Sequence, residues 1–153
     1  MKITEFLHPE SVIGSLQAKD KPGVMAELCG SLAKRVGGVP PEKLAEVLLD
    51  RERLSSTGIG DGVAIPHGKL AGLTSLVAAF GVSREGLDFD AIDGKPTLLF
   101  FALLAPENSA GVHLKALARI SRLFKNPSFR KSILEAADAK AVFDLIASED
   151  AKA

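Results

Sequence analysis

An α/β sandwich in one domain is the fold class this sequence predicts, and three observations predict it. Two compact apolar runs, residues 75–82 and 97–104, have the length of buried strands and end at turn or breaking residues. Elsewhere apolar residues recur at three- and four-residue spacing behind helix-start signals: Asp20 with Pro22, Pro40-Pro41-Glu42, Asn126-Pro127, and Asp138. The two patterns follow one another with short punctuation, without an internal repeat, low-complexity tract or long linker. A chain of 153 residues organised this way is expected to be one domain, residues 1–153.

The elements can be justified in order. Residues 3–7 suit a helical turn that Pro9 stops, and residues 12–16 suit a first strand. Behind Asp20, Val24, Met25, Leu28 and Leu32 keep helical spacing until Gly37-Gly38 ends it. A second helix starts at Pro40-Pro41-Glu42, shows Leu44, Val47 and Leu48 on one face, and runs to about Arg53. A glycine-rich loop and a short strand, 63–65, follow. After the 75–82 strand, Leu87-Asp88-Phe89-Asp90 alternates and Asp93-Gly94 signals a turn. The 97–104 run reads as a fully buried strand that Pro106 closes. Residues 111–125 are predicted helical, with Leu114, Leu117, Ile120 and Phe124 inward. Asn126 caps a helix carrying Phe129, Ile133 and Leu134, and Asp138 caps a last one carrying Val142, Leu145 and Ile146.

Composition excludes several classes. Formal net charge is zero, which removes the chain-wide electrostatic case for nucleic acid or an anionic membrane surface. There is no Trp or Tyr, and the eight Phe lie mostly in apolar runs. One cysteine, Cys29, rules out an internal disulfide and a cysteine-based zinc cluster, and its helical apolar neighbours read it as a small core residue. No stretch resembles a signal peptide, and the longest strongly apolar run is too short to span a bilayer. A soluble cytoplasmic protein is expected.

The most informative segment is Thr57-Gly58-Ile59-Gly60-Asp61-Gly62-Val63-Ala64-Ile65-Pro66-His67-Gly68-Lys69. It places His67 on a short loop behind a buried strand, with Pro66 fixing the backbone before it and Gly68 leaving room at the ring. The plainer reading is a histidine that ends a strand and bonds a carbonyl. The conformational control around His67 favours a group-accepting role instead. His113 opens the helix after the longest strand, a position where α/β folds often place ligand sites and where helix N–H groups favour anions. Alone it would read as a cap or surface residue. His8, beside Pro9, reads as a solvated turn residue.

Arg51 and Arg53 sit in Asp50-Arg51-Glu52-Arg53, which ordinarily is a solvated run. It leads into the loop before His67, so an arginine there could hold a phosphoryl group in a charge-assisted, bidentate way. A metal site built on the two histidines would need Asp61, Asp93 or Glu107, and no His-Glu-x-x-His motif supports it. The P-loop, the dinucleotide fingerprint and the Gly-x-Ser-x-Gly elbow are all missing. Residues 108–134 carry Lys115, Arg119, Arg122, Lys125, Arg130 and Lys131 with no acid, read as a solvated helix face or a docking face.

These residues carry a resemblance. The segment from Leu48-Leu49-Asp50-Arg51 through His67-Gly68-Lys69, the segment Phe89-Asp90-Ala91-Ile92-Asp93-Gly94-Lys95-Pro96, and His113-Leu114-Lys115-Ala116-Leu117-Ala118 resemble the IIA domain of the bacterial phosphoenolpyruvate-dependent sugar phosphotransferase system. The class is fructose/mannitol, and the branch most like it is the nitrogen-regulatory one. The resemblance implies a mixed sheet of about five strands covered by helices. It implies His67 as the phosphorylated residue, His113 as a second active-site histidine on the phosphoryl group or ring, and Arg51 as a phosphate-holding arginine. It implies no cofactor and no metal.

The chemistry suits such a role. A neutral imidazole nitrogen is a nucleophile near neutral pH, provided the other nitrogen keeps its proton and bonds an acceptor such as a backbone carbonyl. The family expectation is phosphorylation on the ring nitrogen farther from the backbone. The implied donor is a histidine phosphocarrier protein, and the implied targets are regulatory proteins such as kinases or potassium transporters, with no nucleic acid and no membrane insertion. Rival readings are a sugar-transport IIA that passes phosphate to a IIB cysteine, a binding module that has lost the chemistry, and a metal hydrolase. The Gly58-Ile59-Gly60-Asp61-Gly62 and Gly68-Lys69 segments favour the regulatory branch over the first rival.

Overall fold

In a computed structural model, which describes residues 1–152, the two long apolar runs form the antiparallel centre of a six-stranded mixed sheet. They are β5 (Val77–Leu87) and β6 (Thr97–Pro106), paired Phe80 to Phe101 and Ala78 to Leu103. On the far side of β6 lie β3 (Val63–Ala64) and β4 (His67–Leu70), both parallel to it. They take successive stretches of the same strand edge, β3 beside Leu99 and Phe100, β4 beside Leu103 to Pro106. Pro66, which lacks an N–H, sits in the interruption, and its carbonyl accepts from the Leu103 N–H at 2.9 Å. β2 (Gly58–Gly60) forms one edge, antiparallel to β3, and β1 (Val12–Ile13) the other, parallel to β5.

Alternation along β6 explains why its run is apolar throughout. Leu99, Phe101 and Leu103 face one layer, and Phe100, Ala102 and Leu104 face the other. The first layer is α3 (Ala110–Leu123), α4 (Pro127–Glu135) and α5 (Ala139–Ala151), which contribute Ile120, Ile133, Val142 and Ile146. Phe124, just past α3, stacks on Phe80 with ring centroids 5.4 Å apart. The second layer is α1 (Lys21–Val36) and α2 (Pro41–Glu52), with Val24, Met25, Leu28, Leu32, Leu44 and Leu48. Cys29 is buried in that layer, and burial pushes its thiol up to about 12. The expected caps form: Asp20 accepts from Gly23 N, Asn126 from Ser128 N and Phe129 N, and Asp138 from Ala141 N.

Four expectations change. The sheet has six strands rather than about five, because the glycine-rich segment supplies β2. β2 and β3 are joined through Gly60, Asp61 and Gly62, all at positive φ, and the Asp61 N–H is held by the Asp93 carboxylate at 3.1 Å. The first strand shrinks to two residues, and the turn before it is a 3-10 turn, Ile3–Glu5. β5 extends to Leu87, so residues 88–90 continue as a non-strand segment. Leu114 is outward, 67% exposed, because His113, Ala116 and Ile120 occupy the inner face of α3.

Candidate functional site

His67 is the first residue of β4 and not a loop residue. Its register partner is Leu103, whose side chain faces the α3 layer, and so does the imidazole. Gly68 pairs with Leu104 and faces α2. A Cβ there would lie 2.7 Å from Val47 Cγ1. The missing side chain therefore admits helix α2 against β4; it does not make room at the His67 ring.

α3 brings His113 to the same place from its first turn. The two imidazoles meet edge to face, with centroids 5.4 Å apart and planes at 76°. Arg51 comes from the last turn of α2, where its Nη1 donates to the Ser55 carbonyl at 3.1 Å. Arg51, His67 and His113 line one depression of about 600 Å³ together with Val47, Asp50, Leu54, Lys69, Leu114 and Leu117. Arg53 goes elsewhere: it pairs with Asp50 and borders a groove between α1 and α2. No residue of α3 ahead of His113 lines the depression, so the helix's first free N–H groups are not part of its wall.

The tautomer of His67 follows from one hydrogen bond. Nδ1 lies 2.7 Å from the Ile65 carbonyl oxygen, which can only accept, so Nδ1 carries the proton. Nε2 is left with its lone pair. Burial lowers the basicity of His67, and the Arg51 charge adds to that, against the opposing pull of the Ile65 bond and Glu52. His113 is 7% exposed, and burial lowers its basicity too, followed by the charges of His67 and Lys69. Both rings are therefore neutral near pH 7. His113 Nε2 is buried without a hydrogen-bond partner among the described residues.

The arrangement offers a lone pair, a second imidazole and two cations at one open surface. Lys69 was passed over in the sequence, although strand alternation places it on the His67 side of β4. Leu54 and Leu114, 80% and 67% exposed, form an apolar rim. The remaining residues considered above do not join the site. The Asp93 carboxylate accepts from the Asp61 N–H, and neither of these residues nor Glu107 lines the depression. Among the described residues no group of three His, Cys, Asp or Glu side chains is placed to hold a metal ion. His8 precedes a separate 3-10 turn.

Comparisons with known proteins agree on one family. Residues 5–149 match the family model described as phosphoenolpyruvate-dependent sugar phosphotransferase system, EIIA 2. A nitrogen regulatory protein of Bradyrhizobium diazoefficiens is 39% identical over 153 residues, covering 100% of this chain and 99% of its own. The fructose-specific EIIABC component of Bacillus subtilis is also 39% identical, over 150 residues, and there the chain spans 98% of itself but 24% of the larger protein. The crystal structure of nitrogen regulatory protein IIA-Ntr from Neisseria meningitidis superposes with a TM-score of 0.88 at 36% identity, covering 94% of this chain and 98% of that one.

Proposed function

The chain belongs to the EIIA 2 family of the phosphoenolpyruvate-dependent sugar phosphotransferase system, and from that premise we propose that it carries a phosphoryl group on Nε2 of His67. The observation that carries this reading is the Nδ1–H bond to the Ile65 carbonyl, which leaves the Nε2 lone pair at an open pocket. The donor is a phosphohistidine on a phosphocarrier protein. The His67 Nε2 lone pair forms the new N–P bond as the donor's N–P bond breaks, and that electron pair returns to the donor imidazole. Such a transfer needs alignment and charge neutralisation and little else. Arg51 and Lys69 supply positive charge. His113, whose ring meets His67 edge to face at the same depression, donates a ring N–H to a phosphoryl oxygen. The depression exceeds what one phosphoryl group fills, and its Leu54 and Leu114 rim suits an apolar patch on the donor.

In the nitrogen-regulatory reading, phosphorylation sets binding to targets such as kinases or potassium transporters. The relatives called nitrogen regulatory proteins and the IIA-Ntr structure support that branch. A second reading, a fructose-type IIA passing the group to a IIB cysteine, draws on the equal identity to the Bacillus fructose component. Incubating the phosphorylated protein with a IIB domain separates the two. We place the protein in the cytoplasm; among the described residues no helix is long and apolar enough to cross a membrane.

The test is incubation with phosphoenolpyruvate, enzyme I and a phosphocarrier protein, read by intact mass. Wild type gains one phosphoryl group and His67→Ala gains none. His113→Ala gains it more slowly, by roughly 10²–10³, the loss typical of one donor to a developing anion. Acid-labile phosphate on His67→Ala would overturn the assignment.

A further inference from the structure

Ile65, whose carbonyl fixes His67, is itself held at its N–H by a chain of hydrogen bonds leading to the end of α2 and the start of α1. The Ile65 N–H donates to the Thr57 carbonyl at 3.0 Å. Thr57 is clamped in turn by Glu52: its N–H lies 3.1 and 3.2 Å from the two carboxylate oxygens, and its Oγ1 donates to Oε1 at 2.6 Å. Lys21 Nζ completes the cluster, 2.9 Å from Glu52 Oε2 and 3.1 Å from the Asp90 carboxylate, with the ammonium 4.6 Å above the Phe89 ring. Glu52 is 7% exposed and Thr57 5%. A carboxylate this buried, linked through Thr57 and Ile65 to His67 and outside the pocket wall, has no part in the mechanism above.

We propose that Glu52 and Thr57 are positioning residues for His67: the clamp holds Ile65 from its N–H side, and with Pro66 restricting the backbone on the other side this sets the direction of the Ile65 carbonyl, which keeps the proton on Nδ1 and the lone pair on Nε2. This rests on the phosphoryl-carrier reading. An unrestrained neutral imidazole favours the opposite tautomer, with the proton on the nitrogen far from the backbone and no lone pair there to attack. A hydrogen bond at one ring nitrogen decides the state of the other. Every partner of Glu52 is a donor, the Thr57 N–H, the Thr57 hydroxyl and the Lys21 ammonium. The carboxylate therefore accepts from all of them, and an amide in its place would turn an NH₂ against at least one.

Two-bond ¹H–¹⁵N correlation of the histidine rings, recorded above the ordinary histidine value of 6.5, reads the tautomer directly. Glu52→Gln and Thr57→Val are expected to give His67 an admixture of the Nε2–H form and to slow phosphorylation roughly tenfold, as loss of a histidine-orienting partner does elsewhere. Thr57→Ser, which keeps the hydroxyl, restores both. If Glu52→Gln does not fold, Thr57→Val carries the test, since it keeps the main chain and nearly the same volume. An unchanged Nδ1–H spectrum in a folded clamp variant overturns the proposal whatever the rate does. If wild type takes up no phosphate the carrier reading fails, while the same spectra still decide the clamp.

Discussion

His67 and His113 are two neutral imidazoles in edge-to-face contact, and their depressed basicity has a thermodynamic consequence. In the unfolded chain each ring takes a proton near its ordinary value of 6.5, while in the folded protein it does so only at lower pH. Between those limits the unfolded state binds more protons, so folding stability falls as pH drops below about 6.5 and levels off once both folded rings are charged. Urea midpoints followed from about pH 7.5 to about pH 5 should show this decline. The double variant His67→Gln, His113→Gln should flatten it, and a slope as steep as wild type would place the titration elsewhere. At this scale the sequence named Arg51, His67 and His113, and the structure brings the three to one pocket. It missed Glu52, because Asp50-Arg51-Glu52-Arg53 has the composition of a solvated run, and only packing reveals that one of the four is buried.

Elements were legible in proportion to their apolar content. The runs that became β5 and β6 announced themselves, as did every helix with a capping residue. β2 did not, since two of its three residues are glycines, which disfavour strands, and it pairs beside β3. The phase of α3 was misjudged at Leu114, which fits an inward spacing but ends up outward on the pocket rim. Gly68 shows how closely one element fits another. Gly68→Ala would press a methyl group against Val47 Cγ1 and force α2 off β4. The expected cost is about 1–3 kcal/mol by chemical denaturation. Because α2 also carries Arg51, phosphate uptake should slow as well. A variant as stable as wild type would show that Val47 can step aside.

Across the whole molecule, the ends of the chain are joined through Asp150, buried in the last helix. It accepts from the Ile3 N–H at 2.6 Å, across 147 residues, and from Arg119 Nε of α3 at 2.6 Å. Nothing local marks Asp150 in the sequence, because its partners lie in other elements. Asp150→Ala leaves the buried Ile3 N–H unpaired and takes the carboxylate from Arg119, which keeps its bond to the residue 150 carbonyl, and should cost about 3–5 kcal/mol by urea denaturation. A loss below about 1 kcal/mol would mean that solvent replaces the tie. The position of β6 has a consequence in time. His67 and Arg51 leave the ribosome before the strand that holds β4 in place, and His113 follows after it. A nascent chain that stops short of β6 contains His67 without its setting. The pairings that supply the setting are long-range and late, so under the proposed function the chain first takes phosphate only after its sheet closes, and labelling kinetics would serve as a clock for folding.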